Sequence, residues 1–133
     1  MNPLKALTVK QPWAWAILFG GKDIENRSWS TSYRGPLVIH AGASMHDGSL
    51  PGRLPTRIPT HFDMSALVGI VDLVDVVEHS RSRWFEGDFG WVLKNPRPFA
   101  PIPCQGRLRL WSLSPAQLNA VEANLRRAGQ AAA

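Results

Sequence analysis

Eleven prolines and eleven glycines in 133 residues cut this chain into short pieces, which suits an all-β or α+β domain better than a helical bundle. With 44% hydrophobic and 19% charged residues, its size and apolar content fit one globular domain with one core. A chain of this length buries about two thirds of its unfolded surface, so it needs neither a disulfide nor a metal to fold. Cys104 is the only cysteine, which rules out an intramolecular disulfide and suits a reducing cytoplasm, the expected location. The N-terminal apolar run is short and carries Lys5, Lys10 and Gln11, unlike a signal peptide. No stretch approaches the roughly 18 apolar residues of a membrane span, so no membrane partner is expected.

The segments can be read in order. Residues 6–9 form a first strand, and QPWAWAILFGG follows as a helix with Pro12 at its first position and Gly20-Gly21 as its stop. Trp13, Ile17 and Leu18 share one face of that helix. Residues 22–29 read as a strand with Glu25, Arg27 and Trp29 on one face, and PLVIHAG as another. Residues 43–60 hold three prolines and little periodicity, the pattern of a long mobile surface loop. ALVGIVDLVDVVEH is the longest apolar strand, and Gly69, Asp72 and Asp75 mark bends in it. GDFGWVLKNPRPF is a strand that Pro96 and Pro98 terminate, and QGRLRLWSL alternates as a half-buried strand should. Ser114 as N-cap, Pro115, Leu118, Val121 and Leu125 define a C-terminal helix that Gly129 stops, ahead of a fraying QAAA tail.

Residues 20–27, GGKDIENR, concentrate two cations and two carboxylates at a helix-to-strand corner. On a strand Glu25 and Arg27 project to one face roughly 7 Å apart, and Lys22 at the corner swings toward either. This is either a salt-bridge cluster on a strand or a binding site, and two glycines ahead of Lys22 would let a ligand approach the backbone.

Gly20-x-Lys22-x-x-Glu25-x-Arg27 resembles the GxKxxExR signature of the ASCH domain family, a branch of the PUA-like superfamily. Gln11-Pro12-Trp13, Arg34-Gly35, the run from Leu37 to Ala41, Gly90 to Leu93, Gly106 and Trp111 fall in the family's order. The resemblance covers roughly residues 4–113, so residues 1–113 are expected to be the ASCH domain, with residues 114–133 a helix and tail of the same domain. It implies an α+β fold: a small PUA-like β-barrel with an N-terminal helix flanking a cleft into which Lys22, Glu25 and Arg27 point. It also implies an RNA or nucleotide partner, with DNA possible, and no cofactor.

Some relatives hydrolyse N4-acetylcytidine and others are described as ribonuclease-like, so a metal-free hydrolase stands as an alternative, with Lys22 and Glu25 as its catalytic residues. The hydrolytic relatives carry a threonine nucleophile where this chain has Glu25, so that chemistry does not transfer directly. His40 and His46 are candidate bases for RNA cleavage, since imidazole titrates near neutrality. A reader of modified bases and a protein-interaction module are the non-catalytic alternatives.

A net charge of +5 favours a polyanionic partner. Among six tryptophans, Trp13, Trp91 and Trp111 sit in apolar patterns and at least two should be buried, whereas Trp29 and Trp84 are better placed to stack on bases. The candidate binding set is Lys22, Glu25, Arg27, Trp29, Arg34, His40, Arg81, Arg83 and Trp84, within a looser basic set that includes Lys10, Lys94, Arg97, Arg107 and Arg109. Asp72 and Asp75 suit backbone groups at a bend better than a metal. The four histidines show no ligand spacing, and no metal is expected.

Overall fold

A computed structural model of the chain describes residues 4–46, 54–55 and 57–132. The elements run β1 (Lys5–Gln11), α1 (Trp13–Phe19), β2 (Ile24–Arg27), β3 (Gly35–Met45), β4 (Ala66–Val77), β5 (Phe89–Pro103), β6 (Trp111–Ser112) and α2 (Pro115–Ala132). The strands form one six-stranded sheet in the order β2-β5-β4-β3-β1-β6, with β1 and β3 parallel and every other neighbour antiparallel.

Both faces of the sheet are covered, which is why its central strands are apolar without alternation. Leu7, Val9, Leu37, Ile39 and Ala41 pack with Ile17 and Leu18 of α1, while Ala6 and Val38 pack with Val121 of α2. The period-two geometry of a strand sends neighbouring residues to opposite helices. In β4 the alternation is broken: Ala66, Val68, Val71 and Leu73 face the α1 core and Leu67 and Ile70 face the other. Register shifts at Leu67/Gly69, Ile70/Asp72 and Leu73/Asp75 account for this, and they bend the strand as its sequence suggests. A Cβ on Gly69 would come within 2.5 Å of Leu18 Cδ2, so glycine there lets α1 settle on the sheet.

The fold is α+β and barrel-like, as expected, although the hydrogen-bonded ladder itself stays open, with β2 and β6 as its two ends. Three expectations need correction. β5 runs through Pro96 and Pro98 to Pro103, because β2 pairs only with residues 89–92 and leaves the rest of β5 an edge, where a missing N–H is tolerated. Of residues 105–113, only Trp111 and Ser112 pair, with Ala6 and Lys5; residues 105–110 have no strand partner, Arg109 has φ +59°, and Leu108 is 91% exposed. Alternation in the sequence supplied a strand pattern with no ladder to join. Finally, α2 runs past Gly129 to Ala132, since glycine lowers helix propensity without ending a helix that already packs on the sheet.

Other expectations hold. Ser114 Oγ accepts from the Gln117 N–H, and Gln117 Oε1 accepts from the Ser114 N–H, a reciprocal cap. Trp91 and Trp111 are both buried. Asp75 accepts from the Val76 backbone N–H beside one bulge, as expected, whereas Asp72 beside another departs from the expectation and pairs with side chains, Arg97 at 2.6 Å and Asn95 at 3.3 Å. β3 extends through Met45 into the segment 43–60 expected to be a mobile loop, and residues 47–53 and 56 of that segment lie outside the described residues. Among the described residues no helix is long and apolar enough to cross a membrane.

Candidate nucleic-acid interface

The corner after α1 decides where the first signature residue goes. The N–H groups of Gly20 and Lys22 both donate to Ala16 O, at 2.9 and 3.0 Å, and Gly21 takes φ +76° to make that turn. The glycines therefore fold the chain back under α1. Lys22 is 5% exposed, and its Nζ donates to Ile24 O and lies 5.4 and 5.5 Å from the ring centres of Trp13 and Trp84.

Strand geometry then puts Glu25 and Arg27 side by side. Arg27 Nε and Nη2 each lie 3.0 Å from Glu25 Oε2, and Lys22 Nζ is 3.8 Å from Glu25 Oε1. A buried carboxylate is costly unless paired, and here each oxygen has its own cation. Arg27 Nη2 also donates to Thr8 O at 2.7 Å. That bond joins β2, one end of the sheet, to β1 near the other end, so a guanidinium spans the gap that the ladder leaves open.

Above this bridge lies a cleft of about 720 Å³. Its lining includes Thr8 and Lys10 of β1, Glu25 and Arg27 of β2, Trp29, His40 and Ser44 of β3, and residues 105–109. Four cations, Lys10, Arg27, Arg107 and Arg109, face one carboxylate, Glu25. In sequence Lys10, Arg107 and Arg109 belong only to a loose basic set; the irregular path of residues 105–110 is what brings the two arginines to the rim.

His40 builds the wall that carries them. It is buried, its Nε2 lies 2.8 Å from Cys104 O, and its Nδ1 lies 3.2 Å from Thr8 Oγ1. A carbonyl only accepts, so Nε2 carries the proton. Thr8 Oγ1 is also 3.3 Å from Arg107 O. A Cβ on Gly106 would meet Thr8 Oγ1 at 2.6 Å and His40 Cε1 at 2.7 Å, so only glycine lets the segment lie this close. Burial pushes the Cys104 thiol above its ordinary pKa, and a backbone hydrogen bond with Leu67 offsets part of that rise.

Trp29 stands half-buried on the cleft, edge-on to Trp91 at 4.8 Å, with the Arg109 guanidinium 4.1 Å over its ring. The remaining candidates lie elsewhere. Trp84 is 3% exposed in a small core with Ala16 and Ile24, which corrects the expectation that it offers a face for stacking. Arg83 covers it from outside at 4.8 Å. Arg81 and Arg83 are exposed but do not line the cleft. Neither does Arg34, which donates to Thr31 O and Tyr33 O and sits 3.8 Å from Asp75. His46 packs edge-on against Trp13 at 5.3 Å. Among the described residues no group of three or more His, Cys, Asp or Glu side chains is placed to hold a metal ion.

Residues 7–103 match the ASCH domain family. The human protein called activating signal cointegrator 1 is 29% identical over 126 residues and the mouse protein of that name 27%, each alignment covering 80% of this chain. The chain spans 22% of the length of these relatives. Among solved structures, the ASCH protein of Zymomonas mobilis superposes with a TM-score of 0.55 at 16% identity, covering 91% of this chain and 94% of that one. A point variant of it gives 0.57 at 16% identity, covering 92% and 98%. At that identity the likeness establishes the fold.

Proposed function

The chain belongs to the ASCH domain family, and from that premise we propose that it binds RNA, as a strand or a nucleotide, in the cleft that Arg27 bridges. The family is PUA-like and associated with RNA. The observation that carries the reading is the charge balance of the cleft: among the described lining residues Glu25 is the one carboxylate and is already matched by Arg27 and Lys22, which leaves Lys10, Arg107 and Arg109 as excess positive charge at the rim. A rim with excess positive charge draws in phosphates and releases their counterions. The cleft also has the volume range of a small-ligand site, so a nucleotide fits the same reading. In this assignment the rim cations hold phosphates, Glu25 accepts from a base edge at the floor, and Lys22 acts on the site only by holding Glu25.

The test is a fluorescence-anisotropy titration of labelled single-stranded RNA over a salt series. Changing Lys10→Ala and Arg107→Ala together should weaken binding and lower the salt slope by about one to two, since each lost phosphate contact on a single strand removes about 0.7. A slope equal to that of the unaltered protein would place the site elsewhere.

The enzymatic alternatives draw less support from the same geometry. Glu25 is held on both oxygens by cations, His40 by Cys104 O and Thr8, and Lys22 does not line the cleft. Incubation with N4-acetylcytidine and with structured RNA, using Lys22→Ala as control, tests them together. Product from either substrate, lost in the control, would restore the hydrolase reading.

A further inference from the structure

We propose that the Trp29 ring is a stacking platform for one unpaired base, and that the Arg109 guanidinium occupies this position only until a base displaces it. The proposal rests on the reading of the cleft as an RNA site, and it adds the class of RNA: single-stranded, with at least one base free to leave its neighbours. Three observations carry it. Trp29 is fixed from behind, edge-on to Trp91, while Trp91 Nε1 donates to Trp29 O at 3.2 Å. On the cleft side, a planar cation lies 4.1 Å above its ring, at stacking distance. The residue that supplies this cation is exposed, has φ +59°, and belongs to a segment with no strand partner.

An exposed cation–π contact is a weaker stack than a base on tryptophan. A base that enters the cleft therefore takes the ring face. The displaced guanidinium remains on the rim beside Arg107, where it meets the phosphate of the same nucleotide. A base paired in a duplex cannot reach the platform without breaking its pair, so single strands are selected. No bond is made or broken in the exchange.

The experiment compares an eight-nucleotide uridine RNA with an abasic ribose-phosphate strand of equal length and charge, using anisotropy with the full chain. The uridine strand should bind about tenfold more tightly. Trp29→Leu should bring the two strands to the same affinity, and Trp29→Phe should retain part of the difference. Arg109→Ala should keep the preference for uridine and lower the salt slope on both strands. If the unaltered protein binds both strands equally, the stacking platform is overturned while the cleft reading stands. If neither strand binds, the cleft reading fails and the platform with it. A preference for uridine that survives both Trp29 substitutions places the stacking site on another residue.

Discussion

Two sets of cations flank Glu25, and they differ in what surrounds them. Lys22 lies behind it, buried under α1 between two tryptophans and hydrogen-bonded to the backbone. Lys10, Arg107 and Arg109 lie in front, exposed on the rim of the cleft. A signature motif can therefore divide its labour: one of its cations is buried behind the cleft and holds Glu25, and cations outside the motif line the open rim. Arg27 stands between the sets, its side chain 22% exposed, pairing with Glu25 and tying β2 to β1.

On this division of labour, Lys22→Met is the most damaging single change. It strips one oxygen of the buried Glu25 of its cation and should cost about 3 kcal/mol of stability, read by chemical denaturation. The salt slope of RNA binding should stay as it was; a fall in the slope would break the distinction between the two sets. Gly106→Ala should come next, costing about 1–3 kcal/mol because its methyl group collides with Thr8 and His40. That substitution should also weaken RNA binding, since it pushes Arg107 and Arg109 off the wall that holds them. Smallest of all is the stability effect of the Lys10→Ala, Arg107→Ala double change. It should shift unfolding by less than about 0.5 kcal/mol, as surface substitutions do, while producing the largest fall in salt slope.

Most of the architecture could be read from local pattern. Apolar runs marked β1, β3 and β4, and the Pro12 and Gly20-Gly21 signals bracketed α1. The failures share a cause: pattern describes a segment but not its partners. β5 survived its prolines because β2 is too short to pair with that part of it. Residues 105–110 failed as a strand because only two residues farther on reach β1. At the site, Glu25 and Arg27 were legible because a strand fixes which side they take. Lys22 sits at a turn, where the direction depends on Gly21, and Trp84 is buried by contacts with α1 and β2 that are distant in sequence.

The central claim is the location of the RNA site, and photo-crosslinking tests it most directly. A short single-stranded RNA carrying 4-thiouridine would be bound, irradiated and mapped by mass spectrometry. The crosslinks should fall on Trp29 and on residues 105–109, and Lys10→Ala with Arg107→Ala should reduce them. Crosslinks confined to the exposed Arg81–Arg83 segment, with none on the cleft, would contradict the account.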